Sequence, residues 1–154
     1  MSYKIYLAGY IQGTCIEQCV GWRKRISRAL QHLDVEFLDP LCGKDIATIR
    51  ADGLKSNRSA HAIVYRDRAS VKAADMIVVN MDTFGTARGL CGTICELAWA
   101  FDWEKPIIMV TNEDKYKLHP FLSYFASEQY ESVTEMLDSG IIQYFIQGVN
   151  NAVY

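Results

Sequence analysis

Short apolar runs recur along this chain with amphipathic stretches between them, and the alternation defines its elements. Lys4–Ala8 is an apolar run that predicts a short buried strand. A turn over Gly9–Gly13 follows. Across residues 16–33, Trp22, Ile26, Ala29, Leu30 and Leu33 recur at helical spacing and share one face. Val35–Asp39 reads as a second strand, stopped by Pro40, which has no amide hydrogen to donate. Residues 60–74 are helical by pattern, and Met76–Met81 is a strongly apolar, β-branched strand. A glycine-rich stretch over 82–92 leads to a predicted helix at 94–103, and Pro106–Thr111 is the next strand. A short helix near Pro120–Phe125 and a weak strand over 128–132 complete the alternation. Ser132-Val-Thr-Glu135 is a capping-box sequence and predicts the start of the last helix.

Strands alternating with helices, each strand apolar on both faces, predict an α/β fold with a parallel sheet of about five strands. The chain shows no linker, repeat or low-complexity run, so residues 1–154 read as a single domain. Ligands in such sheets sit at the carboxyl ends of the strands. Loops 9–14, 40–58, 82–92 and 112–120 therefore frame the expected site, and 41–58 is polar, irregular and long for a connection.

Composition narrows the function. The apolar share is 50% and the aromatic share 12%, which excludes a disordered chain. Sixteen Lys and Arg face 18 Asp and Glu, a net charge of -2, so no basic stripe marks a nucleic-acid binder. No apolar run approaches the roughly 20 residues needed to span a bilayer. Residues 1–20 carry Lys4 and Glu17 and lack an apolar signal region, which predicts a cytoplasmic protein. The five cysteines read as reduced, buried thiols; Cys15/Cys19 and Cys91/Cys95 have helix spacing. No C-x-x-C occurs and His32, His61 and His119 are far apart in sequence, so no metal site is expected. The glycines at 85, 89 and 92 spell neither a phosphate loop nor a dinucleotide fingerprint, and no G-x-S-x-G is present. No cofactor is implied.

Two carboxylates stand out. Glu96 is the only charge in Gly92-Thr-Ile-Cys-Glu-Leu-Ala-Trp-Ala-Phe101, with no basic partner three or four residues away. Two readings are open for it. Thr93-Ile-Cys-Glu96 is itself a capping-box sequence, in which Glu96 would satisfy a backbone amide. Alternatively Glu96 is a carboxylate in apolar surroundings at the mouth of the sheet, suited to nucleophilic or acid/base work. Asp67 falls on the helix face traced by Ala60, Ile63, Val64, Val71 and Ala74. A carboxylate in a buried seam needs a partner, through a salt bridge to another element, or a function. Two carboxylates from different helices are what glycosidic-bond chemistry requires, one at the anomeric carbon and one at the leaving group's proton. Of Tyr3, Tyr6 and Tyr10 around the first strand, Tyr6 heads toward the site loops.

Together these residues resemble the nucleoside 2-deoxyribosyltransferase family. Ile5-Tyr-Leu-Ala-Gly9 resembles its opening strand, and Asp67 precedes Asp75 by eight residues, as in the family. Gly92-Thr-Ile-Cys-Glu-Leu-Ala98 resembles its G-T-x-x-E-L-(G/A) helix, and Lys105-Pro-Ile-Ile108 the strand that follows. Ala152-Val-Tyr154 resembles the chain end of the lactobacillal-type transferases. The resemblance implies a flavodoxin-like three-layer sandwich. It implies Glu96 as nucleophile, Asp67 at the nucleobase, and Tyr6 orienting the glutamate. Gly9, Asp39, Gly92 and Thr93 are the further substrate-side residues. The substrates implied are a deoxynucleoside or deoxynucleotide and a free nucleobase. A homo-oligomer is also implied, in which the Tyr154 carboxylate reaches a neighbouring site.

One position departs from the family. Six residues before the glutamate, transferases often carry Asp and the related nucleotide hydrolases Ser; this chain carries Leu90. Arg88, and Ser123 from a neighbouring subunit, are candidates for a substrate phosphate, with a solvated surface role as the other reading. Three activities follow as expectations: deoxyribosyl transfer, hydrolysis of deoxynucleoside 5′-monophosphates, and a non-catalytic nucleotide sensor.

Overall fold

A computed structural model describes residues 2–11, 14–43, 58–86 and 89–150. The elements run β1 (Tyr3–Gly9), α1 (Ile16–Ala29), β2 (Val35–Leu38), α2 (Ala60–Ala73), β3 (Met76–Asn80), α3 (Cys91–Asp102) and β4 (Ile107–Val110). They continue through α4 (Asp114–Lys117), α5 (Pro120–Phe125), β5 (Glu128–Tyr130), α6 (Val133–Ser139) and α7 (Ile141–Asn150). All pairings are parallel and the strand order is β2-β1-β3-β4-β5. This is the flavodoxin-like order, whose switch point lies between β1 and β3.

Strand alternation sends side chains to two separate cores. Ile5, Leu7, Met76, Val78, Ile108 and Val110 meet Trp22, Ile26 and Leu30 of the α1 segment and Met136, Ile142 and Ile146 of α6 and α7. On the opposite face Tyr6, Ala8, Ile77, Val79, Ile107 and Met109 meet Val71 and Ala74 of the α2 segment, Leu97 and Ala100 of α3, and Leu122 of α5. The result is a three-layer sandwich, as expected. The three inner strands are buried almost throughout, whereas β2 and β5 are half-buried or exposed edges rather than apolar on both faces.

Several boundaries differ from the sequence reading. The α1 face carries Cys19, Trp22, Arg23 and Ile26, while Ala29 is exposed. α3 starts at Cys91, three residues early, with Leu90 at its N-cap and no side-chain cap. Ser132 caps α6, its Oγ accepting from Glu135 N–H at 3.1 Å, but the last helix is two helices. Gly140 divides them at φ 73°, a left-handed conformation that glycine adopts without a Cβ penalty. Of the five free cysteines only Cys19 is buried; Cys15, Cys42, Cys91 and Cys95 are exposed, because helix spacing places them on outward faces or in turns. No described helix is long and apolar enough to cross a membrane.

Candidate active site at the carboxyl end of the sheet

β1 and β3 are neighbours in register, with Gly9 opposite Asn80 at their carboxyl ends. Tyr6 sits three residues earlier, fully buried on the α3 side of the sheet. α3 is anchored over the same face by Leu97 and Ala100. Burying Leu97 contributes about 1.5–3 kcal/mol relative to leaving it exposed. That anchorage brings the adjacent Glu96, only 9% exposed, against the sheet.

The Tyr6 hydroxyl donates to Glu96 Oε1 at 2.7 Å, a buried bond across 90 residues of chain. A short bond to an ionised acceptor is among the stronger hydrogen bonds a protein makes. Burial holds the Tyr6 phenol far above its ordinary pKa, and the charges of Glu96 and then Asp67 push it the same way; Arg23 acts in the opposite sense. Burial and the neighbouring carboxylates therefore favour Tyr6 in its protonated, donating form. The charge of Asp67 is thus felt at the Tyr6 hydroxyl.

The capping-box reading of Glu96 is overturned. Thr93 is the third residue of α3 rather than its N-cap, so Glu96 lies in the helix interior and its carboxylate accepts from Tyr6. The expectation for Asp67 is also revised. Asp67 is half-buried, and Val64 on its supposed seam is 49% exposed. The reason is docking geometry: α2 enters the core through Val71 and Ala74 at its C-terminal end, so its N-terminal half stands at the rim.

The remaining residues occupy different places. A Cβ on Gly9 would lie 2.8 Å from Trp22 Cζ2 and 3.0 Å from the Asn80 carbonyl, so packing alone requires glycine there. Gly92 borders open space, and Thr93 is buried beside Glu96's helix turn. Leu90 is buried in the α3-side core, in the same cluster as Tyr6. Asp39 follows β2, where its Oδ1 accepts from Leu41 N–H at 2.9 Å. Ser123 is on the outer face of α5, exposed, its Oγ donating to the Pro120 carbonyl at 3.3 Å. Arg88 and Tyr154 lie outside the described residues. No cluster of three or more His, Cys, Asp or Glu that could hold a metal occurs among the described residues.

Sequence reasoning missed Arg23. It is 2% exposed, and its Nε lies 3.4 Å from Asp39 Oδ1. Burial lowers its pKa, and the charge of Asp39 is the largest opposing effect. Its helical position among Cys19, Trp22 and Ile26 was the available signal.

A family model described as nucleoside 2-deoxyribosyltransferase matches residues 5–141. No curated protein sequence matches the chain. Among solved structures, a 2-desoxiribosyltransferase from Leishmania mexicana is similar at a TM-score of 0.52 and 19% identity, covering 74% of this chain and 71% of that one. A CMP N-glycosidase from Clostridium botulinum, BcmB, is similar at a TM-score of 0.57 and 16% identity, covering 90% and 98%. A 3-dehydroquinate dehydratase-like protein from Bifidobacterium longum is similar at 0.51 and 11%, covering 95% and 98%. That last likeness makes clear that structural similarity at these identities carries the fold and not the reaction.

Proposed function

Since this chain belongs to the nucleoside 2-deoxyribosyltransferase family, we propose that it cleaves the N-glycosidic bond of 2′-deoxynucleosides and transfers deoxyribose to another nucleobase, with Glu96 as nucleophile. The observation that carries this reading is the buried 2.7 Å bond from Tyr6 to Glu96 at the switch point of the sheet. A nucleophilic carboxylate must be held in one rotamer facing the anomeric carbon, and a fixed donor does that without consuming its charge.

The reaction runs in two displacements. A Glu96 oxygen attacks C1′ and forms an ester, while the C1′–N bond breaks and its electron pair leaves with the base. Asp67 supplies the proton that the departing base takes up. A second base then enters, returns a proton to Asp67 and attacks C1′, and the Glu96 carboxylate departs. Two inversions give net retention. Tyr6 stabilises the carboxylate both before attack and as the leaving group of the second step. A sugar without a 2′-hydroxyl suits this chemistry, because nothing withdraws electrons from the cationic transition state.

A second reading, hydrolysis of the 5′-monophosphate, is kept by one observation. A buried Leu90 stands where transferases carry Asp and the nucleotide hydrolases Ser, so this position does not single out transfer. Supplying a deoxynucleoside or its monophosphate, with and without a second free base, and separating the products distinguishes the two. Exchange only in the presence of a second base supports transfer; free base and sugar phosphate from the monophosphate alone support hydrolysis. No turnover of either points to a sensor.

A homo-oligomer is part of the same proposal. Phe101, Phe121 and Tyr124 form an exposed aromatic face on α3 and α5, with Phe101 stacked on Phe125 at 4.7 Å. Exposed apolar patches of this kind mark association surfaces. Ser123 is exposed on the same short helix, but its place in the helical turn points it away from Phe121 and Phe125.

A further inference from the structure

Two charged side chains, Arg23 and Glu96, are buried among the described residues, and the mechanism uses only Glu96. What Arg23 holds is visible from the strand register. β1 runs on after β2 ends, since the last pair is Tyr6 with Leu38. The carbonyls of Leu7 and Gly9 point to the side of β1 that Tyr3 uses to bond Asp34, where no strand remains to meet them. Arg23 Nη2 stands 3.4 Å from both carbonyls, and Nη1 donates to the Cys19 carbonyl. Its cation lies 4.4 Å from the centre of the Trp22 ring. The guanidinium thus takes the place of the missing strand end.

The same group reaches the next segment through Asp39. Asp39 forms an ion pair with Arg23 at 3.4 Å from Nε and accepts from Leu41 N–H at 2.9 Å, and its carbonyl accepts from Cys42 N–H at 3.0 Å. Leu41 packs against Cys19, but a cavity of about 390 Å³ opens beside it, lined by Val20, Arg23, Phe37 and Asp39. Packing of Leu41 holds the 39–43 turn at one point, and the Arg23–Asp39 pair adds a second hold across the cavity beside it. From the opposite side Arg66 of α2 donates to the Cys42 carbonyl. Arg66 is the residue before Asp67, in the half of α2 that the apolar core does not anchor.

We propose that Arg23 and Arg66 are positioning residues that grip the 39–43 turn from α1 and α2, so that the turn sets where Asp67 stands relative to Tyr6 and Glu96. The inference rests on the assignment of Glu96 and Asp67 above. Arginine suits position 23 because its planar fork serves several acceptors at once, which the point charge of lysine cannot do. At Arg66, which has one acceptor among the described residues, lysine suffices.

The test compares wild type with Arg23→Lys, Arg66→Ala and Arg66→Lys. Steady-state base exchange, melting temperature and amide hydrogen exchange at Leu41 and Cys42 are measured on each. Arg66→Ala is the decisive variant because Arg66 is exposed and its loss spares the core. The expected result is a kcat lower by about tenfold, as for a catalytic group misplaced by a fraction of an ångström, with KM little changed. Its melting temperature stays near wild type, Cys42 exchanges faster, and Arg66→Lys restores most of the rate. Arg23→Lys lowers kcat further. Wild-type kcat in Arg66→Ala and Arg23→Lys overturns the proposal, as does a loss that Arg66→Lys fails to restore. If wild type exchanges no base, the assigned activity falls; unchanged amide exchange at Leu41 and Cys42 then overturns the grip separately.

Discussion

Replacing Tyr6 with phenylalanine removes one oxygen and leaves the ring that fills the α3-side core. The Tyr6 hydroxyl makes a 2.7 Å bond to Glu96, whose carboxylate is 9% exposed and so gains little from water in compensation. A hydrogen bond to a charged group is worth about 1.5–3 kcal/mol. Since each 1.36 kcal/mol of barrier is tenfold in rate, full expression of that loss in the transition state lowers kcat/KM by about ten- to a hundredfold. Both displacements suffer, because Glu96 must attack in the first and leave in the second. The assay is initial-rate base exchange at several nucleoside concentrations, with a thermal melt on the same preparation. The expected signature is a fall in kcat larger than any rise in KM, with the protein still folded. A folded Tyr6→Phe protein with kcat/KM within twofold of wild type refutes the reasoning, because the bond would then be structural only.

Further outcomes follow from the same geometry. Asp67→Asn keeps size but delivers no proton, so bases that need protonation to leave are slowed by about 10²–10⁴-fold and activated leaving groups far less; equal losses across leaving groups count against the acid role. Burial with Asp75's charge raises Tyr3 to about 12, and burial with the Glu96 charge raises Tyr6 further. Unfolded tyrosines ionise near 10, so the native state binds more protons above that pH and stability falls as pH rises from there; urea midpoints at pH 9 and 11 check the sign, and Tyr6→Phe should lose less across that interval. Tyr124, 75% exposed, tests the aromatic face: Tyr124→Asp should lower the solution mass measured by light scattering, and an unchanged mass removes that face from the interface.

Much of the architecture was legible because its strands are simple. Met76–Asn80 is buried at every position, so an unbroken apolar run could be read as a central strand. Glu96 was visible as a charge with no helical partner, and the family spacing paired it with Asp67 and Tyr6. Other features escaped for physical reasons. The start of α3 has no side-chain cap, and Gly92 in its first turn resembles loop sequence. The depth of Asp67 depended on how far α2 overhangs the sheet, which no helical periodicity encodes. Arg23 was passed over because a charge beside helix position 22 reads as solvated. Only the register, with β2 ending opposite Tyr6, reveals the Leu7 and Gly9 carbonyls it serves.

The central claim is that Glu96 is the nucleophile, and base exchange by Glu96→Ala tests it most directly. The substituted protein should melt as a folded domain, since its loss removes one buried charge and leaves Leu97 and Ala100 anchoring α3. Without a group to carry the sugar, exchange should fall by several orders of magnitude. A folded Glu96→Ala protein that retains a tenth or more of the wild-type rate contradicts the account and leaves Glu96 as a buried partner for Tyr6.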